Sequence, residues 1–547
     1  MRRRERPADS GRRSIRALAA ILCAVALRGA FCRLADGIVP VDVKWVNESD
    51  LPFLDHAVGQ DVVMLPLPRP GYEAASGQEW DAFLSQNLGK DLEKYGNATA
   101  SIVTLAALHT LMARLWRSTA KRNGALVVLR RGRAYVASHR GMPGYIRTRL
   151  TVNLEGLVRG ARRLGLQLPD TLFAYNAQDE PVCRLLEGAC SDAPLFSHIK
   201  RYDWEQGRSI DSDVLIPHML HVFNHTIHFP WAAKDPRAVL RARMQSSMDH
   251  RSCMRVVLAQ LSASPAGARL LDAGFVENRH RTYRPTAEQM KSYLTIAEHA
   301  RYRLLLNADG HTASSRLGYL MTINSPVLTE QSPWIEYYYR SLKSLDPDPG
   351  SGRPHRVVSY YNKSNILDLV RQYQDSAQDA VLRAQADAAQ RFAAKYITPD
   401  QKVRYWVAAV QAYAALMPPG LKRLVADLQG LSPVGKSSSG ELRLGNASAT
   451  AILDALKAAS RGSGSSSSSD SGNGSGSSKE GGILGKESDV RRLSSTGVKG
   501  GKQKSKSRKA KAKGKGARSS ARSTRRLMGV GVVVDALARW WAGGSQQ

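Results

Sequence analysis

Between Tyr302 and Leu328 the chain carries a pattern that few folds can accommodate. An apolar strand, Tyr302–Asn307, runs into a polar turn, Ala308–Thr312, that contains Gly310. A short helix through Ser314–Thr322 follows, and then a second apolar strand, Ser325–Leu328. Strand, helix and strand in that order form a βαβ-like unit and place the chain in the α/β class. Thr171–Tyr175 is a further strand candidate, ending in Asn176, Ala177, Gln178 and Asp179. Ile366–Tyr396 and Val403–Met417 read as amphipathic helices, the second opened by Thr398, Pro399 and Asp400.

The 547 residues leave room for about three to four domains and a sizeable core. Composition changes abruptly near Pro433: residues 435–485 are dominated by Ser and Gly and read as flexible coil. The net charge of +32 is concentrated in two places. Residues 1–16 carry seven Arg against Glu5 and Asp9, and residues 479–526 carry seventeen Lys or Arg against three acids. The basic segment reads either as a patch for a polyanion or an anionic lipid, or as a solvated disordered tail; nucleic acid is not the expected partner. Boundaries follow: 1–37 leader, 38–166 N-terminal region, 167–432 core, 433–526 Ser/Gly-rich and basic tail, 527–547 short apolar segment. A coiled coil, a collagen, a small disulfide scaffold and a polytopic membrane protein are excluded, the last because no uninterrupted apolar stretch reaches 18 residues.

The leader joins a basic start to an eleven-residue apolar run, Ala17–Leu27, the size of a signal-peptide core. It reads as a secretory signal, with an uncleaved membrane anchor or a plastid or mitochondrial presequence as alternatives. Sequons at Asn47, Asn97, Asn224, Asn362, Asn446 and Asn473 exceed the roughly two expected by chance and favour the endoplasmic reticulum or Golgi lumen. If cleavage of the leader removes Cys23 and Cys32, Cys183 and Cys190 can bridge in such a compartment, leaving Cys253; three reduced thiols are the alternative.

The turn 307–316 is chemically the richest segment. Gly310 permits close backbone approach, Ser314 or Ser315 can cap the following helix, and Arg316 offers a planar fork suited to a diphosphate. The same residues also suit an ordinary capped turn. Asp211 and Asp213 match a D-x-D metal pattern but read as a surface loop. His218, His221, His225 and His228 would share one face of a helix over 217–229; with no carboxylate beside them, metal binding is not expected.

Residues 296–339 resemble the signature region of the capsule-associated-protein glycosyltransferases, glycosyltransferase family 90, which includes the Rumi-type protein O-glucosyltransferases. Glu298, His299, Arg301, Tyr302, Asn307, Gly310, Ser314 and Arg316 stand in the shared order, followed by Ser325, Val327, Trp334, Glu336 and Tyr339. Weaker likeness lies at 173–179, at Asp213–Pro217 and at Asp400–Val407 with Tyr405 and Trp406, so that it covers about 167–417. The chain departs at Leu240, Arg241 and Ala242, where the family commonly has Phe-Arg-Gly, leaving Arg241 or Arg243 to supply the expected charge. Ala300 and Asn324 replace cysteines of animal members.

The resemblance implies a GT-B-type α/β fold with two Rossmann-like lobes, an acceptor lobe and a UDP-sugar lobe. It implies inverting transfer of glucose or xylose, without a metal or resident cofactor, to a hydroxyl of a protein or glycan. Asp179 would be the catalytic base. Gly310, His311, Thr312, Ala313, Ser314, Ser315 and Arg316 would bind the donor, with Arg241 and Arg243. Two other classes stay open: a luminal scaffold with a degenerate core, motivated by Ala242, and a polyanion-binding protein led by its basic tail.

Overall fold

A computed structural model describes residues 62–96, 103–117, 123–138, 142–183, 193–219, 223–246, 248–343 and 354–427, with short pieces at 43–45, 190, 345–347, 435–436 and 442–443. The leader, most of the tail, the C-terminal segment and the sequons at Asn47, Asn97, Asn446 and Asn473 lie outside these residues. Within the stretch read as flexible coil, Gly435–Lys436 pairs antiparallel with Leu442–Arg443.

Two five-stranded sheets organise the described chain. The first contains β1 (Gly124–Arg130), β2 (Arg133–Ser138), β3 (Thr171–Asn176), β4 (Leu195–Ser197) and β5 (Val214–Leu215), in the order β2-β1-β3-β4-β5. Its first three strands are antiparallel, while β3, β4 and β5 run parallel. The sheet therefore draws in strands upstream of residue 167, where the sequence alone sets the start of the core. The second contains β6 (Asp235–Met244), β7 (Leu271–Asn278), β8 (Tyr302–Asn307), β9 (Val327–Glu330) and β10 (Ser359–Tyr361), in the order β7-β6-β8-β9-β10. All its pairings are parallel.

A parallel sheet must be covered on both faces, and the period of two along its strands shows how. Ala238, Leu240, Ala242 and Met244 of β6 join Leu304, Leu306 and Leu328 in one core. Val239, Leu305 and Val327 point the other way, into a larger core shared with the first sheet. Ala242, which stands where the family commonly has Gly, thus has its methyl packed among apolar side chains, beside a register shift in β6.

Three helices flank the strands that matter for the site: α1 (Gly144–Arg163), α2 (Met254–Ala263) and α3 (Leu317–Leu320). The amphipathic stretch from Ile366 is divided by a 3-10 turn into a helix over Ile366–Tyr373 and α4 over Asp379–Tyr396; α5 spans Pro399–Ala415 with Thr398 at its N-cap position. After the second sheet is complete, α5 returns to the first. Trp406 meets Tyr175 edge-on, and Tyr413 packs on Phe173 and Phe196. The return needs Gly160 of α1, because a Cβ there would lie 2.4 Å from Val403 Cγ2.

An ionic cluster ties the N-terminal helices to this frame. Buried Asp91 pairs with both Lys200 and Arg340, and its Oδ2 accepts from Leu215 N at 2.8 Å. Removing one member of such a buried set typically costs about 3–5 kcal/mol. Among the described residues no helix is long and apolar enough to cross a membrane.

Candidate active site

Strands of an open parallel sheet present their C-terminal ends to ligands, most often where the strand order reverses. In the second sheet that reversal lies between β6 and β8. Gln245 follows β6 there, and the turn with Gly310 follows β8. In the first sheet Asp179 follows β3, His198 follows β4 and His218 follows β5. Both sets line one open cleft, together with Arg255 and Glu336.

On the first-sheet side the turn after β3 is tied down at many points. Asn176 donates through Nδ2 to Glu180 O at 2.7 Å and accepts from Gln178 N at 3.2 Å. Asp179 reaches the cleft with about a quarter of its side chain exposed, and its Oδ1 lies 2.5 Å from Nη1 of buried Arg149. The same nitrogen donates to Ala177 O. Below the turn, Asp213 accepts from Val182 N, Cys183 N and Ser197 Oγ. Burial pushes the Asp213 carboxyl up to about 6, against these three donors. Cys183 and Cys190 form a disulfide, while Cys253 is free and partly buried.

Two expectations are corrected here. Asp211 and Asp213 are not a surface loop: both are buried, and Asp211 pairs with Arg201 while Asp213 anchors the turn. Nor do the four histidines share a helix. His225–His228 is a strand paired with Val62–Pro66, its β-branched Thr226 and Ile227 suiting the pleat; His221 lies outside the described residues.

His198 lies beneath the cleft in a hydrogen-bonded set. Asn153 Nδ2 and Tyr175 Oη approach its Nε2 at 3.2 and 2.6 Å, and its Nδ1 lies 3.3 Å from Ile216 O. A proton on Nδ1 satisfies all three contacts. Burial, with Arg149 adding, pushes the ring down to about 3, so it is neutral. The His218 ring lies 4.6 Å away, and its carbonyl accepts from Lys402 Nζ.

The second-sheet side is bonded through its backbone but leaves side-chain charges unmatched. Asp309 N donates to Glu330 Oε2, Gly310 N to Thr312 O, His311 N to Gln245 Oε1 and Ser314 N to Asp309 Oδ1. A Cβ on Gly310 would come within 2.9 Å of Arg255 Nη2 and Gln245 Oε1, so the glycine admits both side chains. The helix that follows is a single turn, and Arg316 occupies its N-cap position with no side-chain cap, rather than its first turn. Arg316 is buried, its Nη1 donates to Arg241 O, and its Nε and Nη2 have no hydrogen-bond partner. No carboxylate pairs with it among the described residues.

Arg241 and Arg243 are placed differently. Arg241 is held by Asp272 and by Ser292 O, Arg243 by Glu277, and neither of them, nor Arg316, is among the residues that line the cleft. Arg255 does line it. This residue escapes sequence reasoning; its one signal is a charge at the second position of the apolar helix α2. Its Nε and Nη1 donate to Ala308 O and Arg243 O, and burial, then Arg316, pushes it down to about 10.

Three buried or half-buried acids complete the cleft's surroundings. Burial pushes Glu336 up to about 7; Lys402 opposes, Asp309 and Asp179 add, and Glu336 Oε1 has no hydrogen-bond partner. Glu330 is pushed up to about 8 by burial and then by Asp309. Asp309 itself goes up to about 6, chiefly by burial. Across the cleft, Glu180 Oε1 contacts His311 Nε2. Of the two described sequons, Asn224 is exposed, and Asn362 is partly buried with its Oδ1 accepting from Ser364 N, Ser364 Oγ and Asn365 N.

The family model for glycosyl transferase family 90 matches residues 88–423, more than half of the chain, taking in both sheets and the cleft. Protein O-glucosyltransferase 3 of Homo sapiens is 26% identical over 257 residues, covering 45% of this chain and 47% of that protein. The O-glucosyltransferase rumi homolog of Anopheles gambiae is 32% identical over 117 residues, 21% of this chain and 27% of its own length. Protein O-glucosyltransferase 1 of Bos taurus is 22% identical over 381 residues, 64% of this chain and 90% of that protein. The match spans about half the length of the human relative.

Proposed function

The chain belongs to glycosyl transferase family 90, and from that premise we propose that it transfers a sugar, glucose or xylose, from a UDP-sugar to an acceptor hydroxyl. The observation that carries this reading is the meeting of Asp179 with the Gly310 turn in one cleft, each at the C-terminal edge of its own sheet. We read the two sheets as the acceptor and donor lobes of a GT-B-type enzyme. The names of the relatives favour a protein acceptor over a glycan.

In this mechanism Asp179 takes the proton of the acceptor hydroxyl as its oxygen attacks the anomeric carbon. UDP departs from the opposite face, so a single displacement inverts the centre. Arg149 fixes the Asp179 carboxylate from below. The diphosphate is held by Arg255, which lines the cleft with Asp309 and Glu330 in its field, and by Arg316, a buried cation behind the lining with no carboxylate partner among the described residues. An anion bound beside an uncompensated buried guanidinium removes the penalty of leaving that charge unmatched. Glu336 Oε1, buried at the cleft without a donor, suits a sugar or ribose hydroxyl. With two guanidiniums on the leaving group, we propose chemistry independent of a divalent metal.

The leader, the sequons and the Cys183–Cys190 disulfide support a secretory-pathway site of action. The basic tail is proposed to contact an anionic lipid or polyanion. The test is UDP release by the purified full-length protein across a panel of UDP-sugars, with and without a chelator. One preferred donor, turned over equally in chelator, is expected. Tight UDP binding with no turnover on any donor would favour the scaffold reading that Ala242 motivates.

A further inference from the structure

Two acids in succession follow β3, and they face different partners. Asp179 is held by Arg149, whereas Glu180 reaches across the cleft to His311. His311 stands directly after Gly310, and Gln245 Oε1 holds its backbone N–H at 3.0 Å. The ring is one-third exposed, as is the carboxylate it meets. Glu180 is steadied in turn, since its carbonyl accepts from Asn176 Nδ2 at 2.7 Å. The pair is thus a side-chain link between the turn bearing the proposed base and the turn bearing the proposed diphosphate site.

We infer that His311 is a catalytic residue for the leaving group and that Glu180 is its positioning residue. The inference rests on the donor-site reading above. With Glu180 accepting at Nε2, the ring addresses the diphosphate through Nδ1–H. As transfer proceeds, the bond between the anomeric carbon and the β-phosphate oxygen breaks, and its electron pair stays on that oxygen. The acceptor oxygen bonds the anomeric carbon and its proton passes to Asp179. The imidazolium keeps its own proton and stabilises the new phosphate charge by a hydrogen bond made strongest in the transition state. Successive residues therefore serve opposite ends of one displacement: Asp179 the incoming hydroxyl, Glu180, through His311, the outgoing phosphate.

Other charges face the same space and set what the pair can add. Arg255 approaches from α2, Asp309 shares the turn, and Glu336 and Asp179 line the cleft beside them. Arg255 and Arg316 would still hold the diphosphate without His311, so its loss weakens turnover more than binding.

The experiment compares full-length wild type, His311→Gln and Glu180→Gln by kcat and KM for the UDP-sugar, calorimetry with UDP, and thermal melts. His311→Gln is expected to lower kcat about ten- to a hundredfold, in the range of a lost acid group, with KM and UDP affinity held within about threefold. Glu180→Gln, which keeps an acceptor for the ring but not its charge, should lower kcat by less, again with KM unchanged. If His311→Gln folds, binds UDP and keeps the wild-type kcat, the pair is only a clasp and the inference is overturned. Wild type that fails to bind UDP would overturn the donor-site reading itself.

Discussion

The two walls of the cleft are built on opposite principles. On the first-sheet wall, the turn that carries Asp179 is tied down throughout. Asp213 answers two amides and a hydroxyl, Asn176 spans the turn, Arg149 grips Asp179, and a disulfide closes the loop below. On the second-sheet wall, Arg316 Nε and Nη2, Ser314 Oγ and Asp309 Oδ2 are buried without hydrogen-bond partners, against Arg149 Nε on the first, while Glu336 Oε1, equally unpartnered, follows a strand paired with Lys200 and Arg201. Native interiors seldom leave such atoms unmatched, because each costs about 1–3 kcal/mol. Their concentration on one wall separates a surface made rigid in advance for proton abstraction from one completed by a charged, hydroxyl-bearing ligand.

Changing the base tests this contrast most severely. Asp179→Asn keeps the shape and the contact to Arg149 but removes the proton acceptor. Turnover should fall by about a hundredfold or more, while UDP affinity stays within a few-fold. A rate near wild type would break the comparison and move the base to Glu180 or Asp203.

Arg316→Ala strikes the other wall. UDP affinity should fall about ten- to a hundredfold, equivalent to roughly 1.5–3 kcal/mol for a charged hydrogen bond. Arg316→Lys should fall between, since it keeps the charge without the fork. The melting temperature of the unliganded Arg316→Ala protein should hold or rise, because an uncompensated buried charge is removed. Calorimetry with UDP beside melts of the three proteins decides it. Asp213→Ala should do the reverse, leaving UDP affinity intact while lowering stability by about 1–3 kcal/mol in a denaturant titration, since buried amides lose their acceptor.

The smallest effect concerns Glu330. Its folded-state value of about 8 lies above the ordinary 4.5, so the folded protein holds that proton more tightly than the unfolded chain. This group's contribution to stability is full below pH 4.5 and is lost as the pH rises towards 8. Glu330→Gln should therefore melt close to wild type at pH 5 and above it at pH 8. Parallel melting curves across that range would show that the acid is solvated, and would weaken the contrast between the walls.

How much of this was legible in sequence depended on how local the signal was. The unit from Tyr302 to Leu328 appears as β8, the single turn α3 and β9, because periodicity and turn chemistry act over neighbouring residues. Asp179 and the Gly310 turn could be named but not joined by spacing alone; the resemblance brought them together. Asp211 and Asp213 misled because two letters carry no information on burial, which here is set by Arg201, Ser197 and distant amides. The histidine spacing suited a helix equally well until Val62–Pro66 offered a strand to pair with. Arg241 and Arg243 lost their expected place to Asp272 and Glu277 on the neighbouring strand, and Arg255 took a place at the cleft that no local pattern announces.

The return of α5 to the first sheet also fixes an order of assembly. Residues 124–215 leave the ribosome with all five strands of their sheet, yet Trp406 and Tyr413, which close over Tyr175, Phe173 and Phe196, follow only after β10. The sheet made first is therefore finished last. For the whole time that the second sheet is being synthesised, Phe173, Tyr175 and Phe196 lack the rings that close over them, the kind of apolar exposure that makes a partly made chain prone to aggregate.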